Sequence, residues 1–120
     1  MSVLGVIPKI FYEDIQQGLH LFIDCLGFSI GYEEPGGKFY VIRRDATRII
    51  LVEDAEFARK DRPEIRLITD DIEALYKEVA QKDKSILHPN LTHIKTQPWG
   101  LKEFALRDAS DVCVIIQQDL

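Results

Sequence analysis

The side chains able to do chemistry are few and scattered. Three histidines stand at positions 20, 88 and 93. His88 and His93 are five residues apart, not the three or four that sets two ligands on one helical face. His20 lies between Leu19 and Leu21 on an amphipathic stretch, where a surface or half-buried helix histidine is the plain reading. His93 opens an extended segment and is the one histidine placed to serve a site. Cys25 and Cys113 sit far apart in apolar surroundings without CxxC spacing, which reads as two buried free thiols. No serine has a nucleophile-elbow context, and no glycine-rich loop precedes a helix. Glu33-Glu34 could pair carboxylates for acid–base work, yet beside Pro35-Gly36-Gly37 they read as solvated turn charges.

The elements that would position these residues follow from periodicity. Val3 to Tyr12 is rich in Val, Ile and aromatics and predicts a strand, with Pro8 at an edge or bend. Asp14 caps a helix carrying Ile15, Leu19, Phe22, Ile23 and Leu26 at helical spacing, and Gly27 ends it in a left-handed conformation. Three strands follow over residues 28–33, 38–44 and 47–53, joined by Glu34-Pro35-Gly36-Gly37 and Asp45-Ala46. Residues 54–63 are charged and aperiodic, a linker. The pattern then restarts: a strand at 64–69, a helix capped by Asp70-Asp71 with Ile72, Leu75, Tyr76 and Val79, and strands at 92–97, 101–108 and 112–118.

The restart is a repeat. Asp14-Ile15 and Asp71-Ile72 stand 57 residues apart, as do Leu19 and Tyr76, and the Arg-Asp pairs at 44–45 and 107–108 stand 63 apart. The extra residues fall in the loop at 84–91. Duplication of one βαβββ unit explains both spacings. The expected fold is α+β: a single domain over 1–120, with a first unit at about 1–53, the linker, and a second unit at about 64–120. Each unit has one helix to cover a two-faced sheet, so two units predict a curved mixed sheet around a groove, with the helices on the convex face.

Composition narrows the classes of function. The 120 residues carry 15 basic and 20 acidic side chains, a formal charge of −5, with 46% hydrophobic residues. That balance disfavours a nucleic-acid or anionic-membrane partner and suits neutral or cationic small ligands. No apolar run approaches a bilayer span and the first residues lack a signal-peptide layout, so a cytoplasmic protein is expected.

The segment Gln97-Pro98-Trp99-Gly100-Leu101-Lys102-Glu103-Phe104-Ala105-Leu106-Arg107-Asp108 resembles one carried at the same place by bleomycin-resistance proteins of the vicinal oxygen chelate (glyoxalase/bleomycin-resistance/dioxygenase) superfamily. Leu26-Gly27-Phe28-Ser29, Pro8 and Asp71-Ile72-Glu73-Ala74-Leu75-Tyr76 support the resemblance, which spans nearly the whole chain. Many members hold a divalent metal through His and Glu on the strands and use it as a Lewis acid. Those positions fall on Ile7, Glu64 and Ile115. Isoleucine has no lone pair to donate, so the resemblance implies no metal and no cofactor. An enzyme is disfavoured; the alternative is a divalent-metal-dependent lyase, isomerase or dioxygenase using other ligands, with Glu64 and His93 the first suspects.

What the resemblance then implies is a metal-free dimer that sequesters an aromatic, cationic small molecule in a groove at the subunit interface. The family's aromatic cleft positions fall on Tyr32, Phe39 and Trp99. The only tryptophan is held in a turn between Pro98 and Gly100. A second aromatic position of the family is replaced around Arg66, which in the groove would repel a cation and could pair with a carboxylate or phosphate. Pro8 resembles the proline at which an N-terminal arm bends toward the partner subunit.

Overall fold

The computed structural model describes residues 4–60 and 63–119. Two βαβββ units fold into two four-stranded mixed sheets. In the first, β1 (Lys9–Tyr12), β4 (Thr47–Glu53), β3 (Phe39–Arg44) and β2 (Ser29–Glu33) lie in that order. The second repeats the order with β5 (Glu64–Ile68), β8 (Cys113–Asp119), β7 (Leu101–Arg107) and β6 (Lys95–Gln97). Each sheet has one parallel pair, β1 with β4 and β5 with β8, and its other pairs are antiparallel. The parallel pair is the signature of the helical crossover that follows the first strand of each unit. The sheet expected to curve around one groove is therefore divided in two; among the described residues no strand of one sheet pairs with a strand of the other.

The helix caps form as their residue types dictate. Asp14 accepts from the Gln16 amide and opens α1 (Ile15–Leu19). Asp71 accepts from the Ala74 amide and opens α3 (Ile72–Lys82). The first helix runs on as a π-helical turn over His20–Cys25, closed by the Leu26 amide on the Leu21 carbonyl, and Gly27 ends it at φ +71°. The hairpin turns fall where expected, with Gly36, Gly37 and Asp45 at positive φ.

Period-2 alternation builds the core. Ile10, Tyr12, Ile42, Ile49, Leu51, Phe104, Leu106, Val114 and Ile116 point from both sheets into one cluster with Phe22, Leu26, Ile72 and Val79 of the helices. Each such apolar side chain contributes about 1.5–3 kcal/mol of transfer free energy. Joining two helix layers in one interior explains why the sheets do not meet edge to edge. The opposite face of the second sheet is left without a layer of its own, and that of the first is covered only at its β1 edge, by the stretch Ala55–Lys60.

Three expectations are corrected. The first strand starts at Lys9, not Val3, which lies outside the described residues; Leu4 to Pro8 are apolar but have no strand partner, and only the Pro8 carbonyl engages the sheet, accepting from the Ile50 amide at 2.9 Å. The segment read as an irregular linker holds α2 (Ala55–Lys60), because Asp54 accepts from the Glu56 and Phe57 amides and Phe57 stacks on Phe11. The strand placed at 92–97 is only Lys95–Gln97, since the Thr92 carbonyl is taken by the Tyr76 hydroxyl instead of a neighbouring strand.

Candidate functional site

The uncovered face of the first sheet is lined with rings and aliphatic chains. Side chains directly opposite one another on paired strands share a face. The register sets Phe11, Val52 and Phe39 in one row across β1, β4 and β3, and Ile50, Val41 and Tyr32 in the next. Tyr32 and Phe39 meet edge to face at 6.3 Å. At the other end of the row Phe57 stacks on Phe11 at 5.0 Å and 25°, with the Lys60 ammonium 5.5 Å above the Phe57 ring. Tyr32 reaches this face because the register slips at Gly31, between Ile30 and Tyr32. The result is an open, aromatic-edged platform whose rings are half-buried or exposed.

The uncovered face of the second sheet is polar around an aliphatic centre. Arg66, Ile115 and Ala105 form one row; Gln117 and Glu103 stand in the next, with Lys95 opposite Glu103. Glu103 is buried, and its two oxygens are taken by the Gln97 amide at 2.8 Å and by Arg66 Nη1 at 3.0 Å. Arg66 also donates to Gln117 Oε1 at 3.2 Å. The arginine is thus neutralised by Glu103, and the repulsion expected of it toward a cation is offset. Cys113 lies on the same face opposite Glu64; burial first and Glu64 second push its thiol up, so it stays protonated and is a poor nucleophile.

The structure divides the sequence-predicted residues between these two faces. Tyr32 and Phe39 come together on the first sheet. Arg66 and Ile115 lie on the second, and Trp99 stands in the β6–β7 turn of that unit, 66% exposed between Pro98 and Gly100 (φ +94°). His93 falls on the helix side, its ring 6.2 Å from that of Tyr76, which itself packs on core Phe104. Pro8 ends an arm from which Leu4 and Val6 project, 95% and 84% exposed. Phe11, Phe57 and Glu103 were missed: a strand aromatic reads as core, α2 has one large apolar residue in a charged stretch, and a buried strand glutamate has no sequence signature.

The donors that superfamily enzymes use to hold a metal do not fit these faces. Of the three expected positions, Ile7 precedes β1 in the exposed arm and Ile115 offers no lone pair, which leaves exposed Glu64, opposite Cys113 at the start of β5, as the one donor. The Glu103 carboxylate on the same sheet is already saturated by Arg66 and Gln97. Among the described residues the donor cluster able to hold a cation lies elsewhere, at His20, Cys25 and Asp83. Among them, too, no helix is long and apolar enough to cross a membrane.

No family model matches the chain. A bleomycin resistance protein of Geobacillus stearothermophilus is 27% identical over 98% of both chains. The crystal structure of a bleomycin-binding protein from bleomycin-producing Streptomyces verticillus, complexed with copper(II)-bleomycin, superposes with a TM-score of 0.75 at 24% identity over 97% of this chain and 96% of that one. A lactoylglutathione lyase structure from Agrobacterium tumefaciens gives a TM-score of 0.72 at 16% identity, covering 98% and 95%. In sequence along nearly its whole length and in its fold, the chain is similar to the bleomycin-resistance proteins of the vicinal oxygen chelate superfamily.

Proposed function

We propose that this chain sequesters a planar-ringed, cationic small molecule without a chemical step, in a groove completed by a second copy of itself. The observation that carries the reading is the platform of Phe57, Phe11, Phe39 and Tyr32 on a sheet face that α2 covers only at its β1 edge. Ring stacking there adds about 0.5–1.5 kcal/mol per pair beyond area burial, cation–π attraction adds to it, and a net charge of −5 draws a cation in. The relatives named for bleomycin binding and resistance support the ligand class.

The second copy is argued from the division of the site. Each chain offers one aromatic face and one polar face; a two-fold partner lays the first of one protomer against the second of the other, bringing Trp99 and the Arg66–Glu103 pair opposite Tyr32 and Phe39. The exposed arm through Pro8 gives that partner an apolar strap. We place the dimer in the cytoplasm.

Titrating metal-free protein with metal-free bleomycin tests the reading. A saturable change in Trp99 fluorescence, matched by heat of binding in calorimetry, is expected; no change in either at high ligand excess would overturn the assignment.

A further inference from the structure

We propose that His20, Cys25 and Asp83 form a binding site for a divalent cation of the zinc class, separate from both uncovered sheet faces. Their donor atoms lie within 4.8 Å of one another. Asp83 Oδ2 is 2.9 Å and Cys25 Sγ 3.7 Å from His20 Nε2. Ligand atoms around a tetrahedral zinc with bonds of about 2.0–2.3 Å stand about 3.3–3.8 Å apart, so side-chain adjustments of about an ångström admit the ion.

Three features of the chain orient the donors. The first is the π-helical turn: its i to i+5 closure brings His20 and Cys25, five residues apart, onto one side, where an α-helix would splay them by more than a third of a turn. The second is Asp24, whose Oδ2 lies 3.0 Å from His20 Nδ1. A carboxylate on that nitrogen favours a proton there, the arrangement that orients metal-bound histidines, while Nε2 turns to Asp83 and Cys25 and gives up its own proton when it ligates. The third is Ser85, whose amide donates to Asp83 Oδ1 at 2.9 Å with its hydroxyl on the same oxygen, so that Oδ2 is turned toward the histidine.

The charges balance as well. A thiolate and a carboxylate with a neutral imidazole offset one divalent ion, and binding releases the Cys25 thiol proton and any proton on Nε2 to solvent. Without the ion, burial first, then Asp83 and Asp24, push the Cys25 thiol up to about 11. Cys25 is buried while His20 and Asp83 are partly exposed beside a cleft lined by Gln17, Ser85 and Leu87, which leaves a fourth position for water. His20 and Cys25 belong to the first unit and Asp83 follows α3 of the second. The ion would therefore bridge the two units while keeping one coordination position open to solvent.

Cobalt(II) alone, added to the chelator-stripped full chain, is the probe. We expect about one ion per chain, visible tetrahedral d–d bands and a near-ultraviolet thiolate charge-transfer band, displaced by zinc. Cys25→Ser should abolish the charge-transfer band and the rise in thermal midpoint caused by zinc, whereas Cys113→Ser keeps both. Asp24→Asn should retain the band with affinity about 10–100-fold weaker. Should Cys25→Ser not fold, Asp83→Asn at the partly exposed rim serves in its place and should weaken binding. No thiolate band in the wild type, or a band that survives Cys25→Ser or vanishes with Cys113→Ser, overturns the site. The drug titration on metal-free protein is unaffected by either result.

Discussion

The Tyr12 hydroxyl donates to Asp108 Oδ2 at 2.7 Å, joining two buried residues 96 positions apart. Tyr12 ends β1 of the first unit; Asp108 follows β7 of the second. The other carboxylate oxygen of Asp108 accepts from the Ser110 and Val112 amides and so fixes the turn into β8, where Asp111 adopts φ +63°. One side chain thus shapes a turn in its own unit and anchors the neighbouring one.

Tyr12→Phe keeps the ring and removes the donor, leaving Asp108 Oδ2 buried without that partner. The desolvation of an unsatisfied group makes this costlier than the bond's net contribution, about 1–3 kcal/mol. Denaturant unfolding should show the midpoint falling with the slope unchanged; an unchanged midpoint would mean the oxygen finds water.

The same carboxylate sets a pH dependence. Burial pushes the Asp108 acid up from its ordinary value, and the Tyr12 hydroxyl and the two amides pull it only part of the way back. A raised carboxyl in the folded state binds its proton more tightly than the unfolded chain does, so this group's contribution to stability falls as pH rises from about 4 through the raised value. Measured across that window, the stability of the wild type relative to Asp108→Asn should decline with pH. A relative gain with pH would show that the three hydrogen bonds outweigh burial.

Gly18 shows how firmly that tyrosine is held. A Cβ at position 18 would run into the Tyr12 ring, which cannot retreat while its hydroxyl is tied to Asp108. Gly→Ala inside a helix ordinarily gains about 1 kcal/mol. Here overpacking costs about 1–3 kcal/mol, so Gly18→Ala should lower the thermal midpoint; a rise would disprove the close fit.

Much of this was legible because it is written in local chemistry. Asp14 and Asp71 cap their helices, Gly27 takes the left-handed bend, and the equal spacing of the two Asp-Ile pairs reports a duplicated unit whose sheets repeat the same strand order. What stayed hidden depends on partners distant in sequence. The π-helical turn that brings His20 to Cys25 leaves no periodicity signal in six residues. Phe57 gains meaning only once Phe11 is beneath it, and Glu103 only once Arg66 and Gln97 converge on it. Leu4 to Pro8 reads as strand because apolar β-formers do so whether or not a neighbour exists.

That unpartnered arm predicts an assembly effect. Leu4 and Val6 expose nearly all of their surface, which costs roughly 25 cal/mol for each Å² left in water. If a second copy covers them, Leu4→Asp with Val6→Asp should shift sedimentation from dimer toward monomer at fixed concentration while the far-ultraviolet spectrum is kept. A dimer that persists with unchanged dissociation would remove the arm from the interface.

The aromatic platform can be separated from the fold because its rings are not in the shared interior. Tyr32 is exposed and Phe39 half-buried, whereas the core rows of the same strands end on Tyr40 and Ile42. Tyr32→Ala and Phe39→Ala should each weaken ligand binding by about 0.5–1.5 kcal/mol beyond lost area, while Tyr32→Phe, which keeps the ring, stays near wild type. The pair meets edge to face, so the double variant should lose less than the sum of the singles. Calorimetric titration of the four variants beside the wild type reads this directly. Equal affinities throughout would place the ligand elsewhere, and loss in Tyr32→Phe as great as in Tyr32→Ala would assign recognition to the hydroxyl instead of the ring.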